Sequence, residues 1–211
     1  MTGRHALKSL CSLGVTYTLK GKGTFVSGAK LEKDVRQVTS FTEEMQALGL
    51  RVHSKVLSCG ITHPDDEITA ALHLSNGEEL ISIRRIRYAN ASPMAVEWSR
   101  IPRRLCPDLL EKFHSGDSLY DTLLQHYGIH MNLAEEVVEA GLASPEDATL
   151  LDAPKKSPMF MFTRTSYAQS GEPVEFVKSV YRGDRYKIVN RLTRVDRKLL
   201  ADNRPARDNR P

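Results

Sequence analysis

The chain has 211 residues, 40% of them hydrophobic and 27% charged, with a formal net charge of +4. That is enough apolar material for one sizeable core and a fragment of a second domain, and no stretch reaches the roughly 18 apolar residues of a membrane span. The start, MTGRHALKSL, lacks the apolar run of a secretory signal, and three well-separated cysteines (Cys11, Cys59, Cys106) fit a reducing cytoplasm better than a disulfide framework.

Residues 4–13 place Ala6, Leu7, Leu10, Cys11 and Leu13 near helical spacing, and Gly14 stands where a C-capping glycine belongs. VTYTLKGKGTFV then reads as two short strands, about 15–19 and 24–26, around a Lys-Gly-Lys-Gly reversal at 20–23. Residues 1–30 hold Arg4, Lys8, Lys20, Lys22 and Lys30 and no acid, which suits either a phosphate-contacting end or a solubilising terminus. Residues 27–39 are polar and poorly periodic, as in an interdomain linker.

Ser40-Phe41-Thr42-Glu43 is a capping box that opens a helix over about 41–48. A strand is expected over 52–62 and a helix from Pro64 to about Leu74. A hairpin of strands follows at 79–89 and 93–101, with its turn at Asn90-Ala91-Ser92. Ser118 begins a helix that ends at Gly128. Strands at 133–142, 158–168 and 173–182, with a helix near 145–151, complete an α+β pattern on a mostly antiparallel sheet with flanking helices. The basic tail, from about 191, ends in DNRPARDNRP and carries the composition of a disordered segment.

Two stretches resemble a known family. RHALKSLCSLGVTYTLKGKGTFV, residues 4–26, resembles the recognition helix and wing of the GntR-type winged helix-turn-helix, whose closing signature is matched by Gly21-Lys22-Gly23-Thr24-Phe25-Val26. The body resembles the UTRA effector-binding domain of the HutC subfamily, which has the chorismate lyase fold. The stretches that carry this are TSFTEEM (39–45), RIRYANASPMAVEWSRIP (85–102), GDSLYDTL (116–123) and GEPVEFVKSVYRGDRYK (171–187). The resemblance implies a partial winged helix-turn-helix at 1–26, a linker at 27–39, a UTRA domain at 40–190 and a tail at 191–211. Met1 falls near the start of the recognition helix, so the two helices that precede it in the family are expected either upstream of the given start or to be missing. Arg4, Lys8, Lys20, Lys22 and Gly23 are then the DNA-facing residues.

The sequence also suggests where a small anion would bind. Arg85 and Arg87 are two apart on a strand and share a face, a fork for phosphate or carboxylate, though arginines are also common on exposed strands. The first amides of the capped helix, at Phe41 and Thr42, and the Ser118 start with Tyr120 just inside it are either plain caps or anion donors. Glu175 and Tyr181 are six apart on one strand and share a face. Glu97 lies on the strand paired with that of Arg87, where it either meets a ligand or pairs with that arginine; Tyr181 is a ligand group or core packing. The resemblance to sugar-phosphate-responsive UTRA proteins implies that Phe41, Thr42, Arg85, Arg87, Ser118 and Tyr120 hold a phosphate and that Glu97, Glu175 and Tyr181 hold the sugar or amine. Arg164 and Tyr167 are secondary candidates, and Trp98, on the opposite face, is expected in the core.

The function so implied is a cytoplasmic, homodimeric, metabolite-responsive transcription regulator, a repressor in type. Its effector would be a phosphorylated sugar, with phosphonates, urocanate-like acids and fatty acids as the other anions used by such regulators; its other partner is operator DNA, provided the missing helices exist. An effector-binding module without DNA binding is the alternative. A lyase is disfavoured because a wing has no place in one, and the seven histidines show no metal-ligand spacing, so no catalytic residue, cofactor or metal is assigned.

Overall fold

The computed structural model describes residues 3–12, 16–19, 23–26, 30–34, 36–190 and 192. Gly14, Lys20, Gly21, Lys22 and the tail beyond Leu192 lie outside the described residues, as do the side chains of Lys8 and Cys11. The N-terminal part comprises helix α1 (Gly3–Ser12) and an antiparallel pair, β1 (Thr16–Leu19) and β2 (Gly23–Val26), with Leu19 opposite Gly23. This is the helix and hairpin expected from the sequence.

The rest is built on six strands: β4 (Val52–Thr62), β5 (Leu80–Ala89), β6 (Ser92–Pro102), β7 (Met131–Leu142), β8 (Pro158–Ala168) and β9 (Pro173–Arg182). They form one sheet in the order β4-β5-β6-β9-β8-β7, every neighbouring pair antiparallel. Hairpins explain most of this order, and β6 to β9 is the pairing that closes two meanders into one sheet. At the β5–β6 turn, Asn90 takes the left-handed conformation (φ 53°), which asparagine tolerates, and its side-chain oxygen accepts from the Arg51 amide at 3.2 Å. The register slips between Arg87 and Tyr88, so that Arg87 faces Ala95 and Tyr88 faces Pro93. A bulge here twists the hairpin beside the arginines.

The helices follow their caps. Ser40 and Glu43 make both bonds of the capping box of α2 (Phe41–Ala47). Asp65, Ser118 and Ser144 cap α3 (Asp66–Ala71), α5 (Leu119–Tyr127) and α6 (Pro145–Leu150), and Gly128 ends α5 at φ 66°. A one-turn helix, α4 (Leu109–Lys112), was not anticipated. Two short strands were also missed: β3 (Leu31–Asp34) and β10 (Tyr186–Val189), a parallel pair in which Lys33 faces Ile188. Thus part of the polar 27–39 segment is a strand. Its few apolar residues were too sparse to show a period of two.

Alternation along the strands gives the sheet two faces. On the outer face, α3 buries Ile68 and Leu72 against Leu80 and Phe176, and α6 buries Ala148 and Leu151 against Ile86, Val96 and Met159. On the inner face, two clusters stand apart. One joins Ile81, Ile83 and Ile101 to Leu109, Leu119 and Leu123 of α4 and α5; the other joins Phe162 and Tyr181 to Phe41, Met45 and Tyr186. Each fully buried Leu or Ile contributes roughly 1.5–3 kcal/mol relative to exposure. Between the two clusters the inner face turns polar, and there the cavity lies. Trp98 is not core: it is 43% exposed on the outer face, where Arg100 stacks on it at 3.7 Å and its indole N–H donates to Ser82.

Candidate functional site

All nine residues proposed for effector binding line this one cavity: Phe41, Thr42, Arg85, Arg87, Glu97, Ser118, Tyr120, Glu175 and Tyr181. Its empty space is about 520 Å³, counting the part that opens to solvent. β5 supplies the two arginines, β6 Glu97, β9 Glu175 and Tyr181, and the first turns of α2 and α5 the remaining four.

Arg85 and Arg87 are buried, at 3% and 2% exposure, so their charges have left bulk water. They share one carboxylate. Glu97 lies across from Arg85 in the ladder, accepts from its Nη2 at 3.2 Å and stands 3.5 Å from Arg87 Nε. Arg87 Nη2 donates to the Thr42 hydroxyl at 2.8 Å, and its guanidinium lies 4.8 Å from the Phe41 ring centre. Even so, Nε and Nη1 of both arginines find no hydrogen-bond partner. Four buried guanidinium nitrogens without a hydrogen bond, one of them at ion-pair distance from Glu97, are a costly arrangement. Burial, and then the like charge of Arg87, lower the Arg85 pKa to about 10. Burial alone would raise Glu97, but Arg87 and Arg85 outweigh it and hold that carboxyl below its usual range.

The rest of the lining is acidic and hydroxylic. Tyr120 donates to Glu175 at 3.1 Å and lies as close to the Ser166 hydroxyl; Tyr181 donates to Glu97 at 3.3 Å. Burial raises the pKa of Glu175 despite the Ser99 hydrogen bond and the charges of Arg85 and Arg164. Burial and Glu97 raise that of Tyr181. The Ser118 hydroxyl accepts from the Asp121 amide at 3.3 Å, so it caps α5 while lining the cavity.

Sequence reasoning missed several lining residues: Lys33, Thr39, Glu136, Ser99 and Ser179. Arg164, a secondary candidate, is also present, held by Glu136 and donating to the Thr39 carbonyl at 3.1 Å. Its alternation with Phe162 and Ser166 on β8 is the signal that could have promoted it; Lys33 gave none. Tyr167 bonds Glu135 outside the cavity. Among the described residues, no group of three His, Cys, Asp or Glu stands where one metal ion could join them. Of the residues expected at DNA, Arg4 is exposed on α1 and Gly23 opens β2; Lys8 lies on α1, and Lys20 and Lys22 lie outside the described residues.

Comparison with known proteins agrees with this architecture. The UTRA domain family model matches residues 47–187. The repressor NagR of Bacillus subtilis is 38% identical over 195 residues, covering 92% of this chain and 80% of its own length. The mannosyl-D-glycerate transport/metabolism system repressor MngR of Escherichia coli is 25% identical, covering 89% and 78%. Among solved structures, PhnF from Mycobacterium smegmatis superposes with a TM-score of 0.72 at 26% identity, over 90% of this chain and 84% of its own.

Proposed function

We propose that this chain, which belongs to the UTRA-domain, HutC branch of the GntR-superfamily transcription regulators, senses a small phosphorylated sugar in its cavity and passes the signal to an operator-binding N-terminal domain. The observation that carries the ligand class is the set of four buried guanidinium nitrogens, Nε and Nη1 of Arg85 and Arg87, that make no hydrogen bond. Glu97 already occupies one side of the fork, and the missing acceptors are those a phosphate supplies: several oxygens and a double charge. The Thr42 and Ser118 hydroxyls, with the Phe41 and Thr42 amides, complete the cradle. Glu175 and Tyr181, together with the Glu97 that also pairs with the arginines, suit hydroxyls or an ammonium beyond the phosphate, which favours a sugar, an amino sugar among them, over a fatty acid. The mannosyl-D-glycerate system of one relative is consistent with a sugar-derived effector.

The regulator is a cytoplasmic homodimer in this reading. β7 is an edge strand of twelve residues on which Leu133, Val137 and Leu142 are more than half exposed. Such an edge calls for a partner strand, and a second copy of β7 supplies one. Effector binding changes the separation of the two DNA-binding heads and lowers their joint affinity for a two-fold operator. The reading has no catalytic step.

Thermal-shift screening tests the ligand class. Sugar phosphates should raise the wild-type midpoint and leave Arg85→Ala unmoved; a wild type indifferent to every phosphate ester, or a variant that still responds, contradicts it. For assembly, Val137→Lys is expected to convert a dimer to a monomer in sedimentation velocity.

A further inference from the structure

The segment that precedes α2 forms one wall of the cavity. Lys33, Thr39, Ser40, Phe41 and Thr42 all line it. The ties run both ways. Arg164 reaches out of the sheet to the Thr39 carbonyl. Lys33 reaches inward from β3, its ammonium 4.6 Å from the Phe162 ring centre and 5.1 Å from that of Tyr181.

Lys33 is only 5% exposed, and its ion pair with Glu44 is a long one. Glu44 Oε2 stands 3.9 Å away, beyond hydrogen-bond reach, and Glu44 Oε1 is buried with no hydrogen-bond partner. An ammonium carries three donors, and ring faces attract it without accepting them as oxygens do. The pairing of β3 with β10 is a backbone ladder and has no need of this side chain. A long charged side chain that is buried at a cavity wall, held there by one ion pair and two ring faces, is placed for something that enters the cavity.

We propose that Lys33 is a ligand-contacting residue, supplied by the segment that leads to the N-terminal helix and hairpin, and that it makes strand β3 responsive to what fills the cavity. The inference rests on the anion reading above and deepens it. The ammonium lies 5.1 Å from the ring centre of Tyr181, which the reading above gives to the sugar, so Lys33 meets that part of the ligand. It selects an oxygen there, a hydroxyl or carbonyl; a ligand amine is repelled by Lys33 and is better placed at Glu175. Coupling to the segment is therefore direct, through one side chain, and needs no relay across the sheet.

Isothermal titration and amide exchange of residues 31–34 test this, with inorganic phosphate, glucose 6-phosphate and glucosamine 6-phosphate as probes. In the wild type a saturating sugar phosphate should slow exchange in β3 by about tenfold or more, whereas inorganic phosphate, which fills only the arginine end, should not. Lys33→Met should bind inorganic phosphate like the wild type, lose about tenfold in affinity for the sugar phosphate and lose the β3 protection; Lys33→Arg should recover part of both. Should Lys33→Met fail to fold, Lys33→Gln takes its place. The proposal is overturned if the neutral variant keeps full sugar-phosphate affinity and β3 protection, or if inorganic phosphate alone protects β3. A wild type that binds none of the three probes removes the anion reading, and this inference with it. A wild type that binds sugar phosphate without any Lys33 dependence removes this inference alone.

Discussion

Arg84 and Arg85 are neighbours on one strand and differ in almost everything that matters. Arg84 points to the outer face, where Glu146 meets it at 2.8 Å with the carboxylate 62% exposed. Water can replace either partner, so the pair contributes little. Arg85 points inward, is buried, shares Glu97 with Arg87 and keeps two N–H groups unpartnered. The residue type is the same on both faces; burial without full hydrogen bonding is what separates the inner arginine from the outer one. In the inner pair the desolvation cost is met in the fold, and on the reading proposed above a ligand brings the remaining acceptors.

Removing Glu97 should sharpen the contrast most. Glu97→Ala leaves two buried guanidiniums without a counter-ion and should cost about 3–5 kcal/mol in denaturant unfolding, while Glu146→Ala should leave the midpoint where it was. Next, Arg87→Ala removes a guanidinium that could form two or more bonds to a phosphate. At roughly 1.5–3 kcal/mol for each charged hydrogen bond, sugar-phosphate affinity should fall by about a hundredfold or more, and Arg84→Ala should leave titrations unchanged. A smaller effect comes from Glu175, whose carboxyl pKa is raised by burial. Its neutral form is the one the fold prefers, so its contribution is present below the ordinary carboxylate pKa and lost as pH rises through the raised value. Glu175→Gln should therefore melt higher than wild type near pH 8, on the scale of the roughly 2–4 °C that each kcal/mol is worth in a chain of this size, and match it near pH 4. Glu97, with its lowered pKa, works in the other direction: its contribution is present above the ordinary carboxylate pKa and lost as pH falls through the lowered one.

Much of this geometry could be read from residues. The capping box at Ser40, the Ser118 and Gly128 ends of α5, and the period of two that puts Arg85 with Arg87 and Glu175 with Tyr181 are local rules, and local rules survive folding. The extents of β4, β8 and β9 were legible for the same reason. What escaped depends on contacts distant in sequence. β3 exists because Leu31–Asp34 lies beside Tyr186–Val189, some 155 residues away by the Leu31–Tyr186 pairing. The role of Arg164 needs Glu136 and Thr39 brought to it. Trp98 does lie on the opposite face, but two arginines cover it there in place of a core.

A crystal structure grown with a sugar phosphate addresses the cavity most directly. The expected result is a phosphate seated against Arg85 and Arg87, taking up their unpartnered N–H groups, with Thr42 and Ser118 within hydrogen-bond distance. Density for the phosphate elsewhere on the surface, or a cavity left empty at saturating ligand while both guanidiniums turn to Glu175, would contradict it.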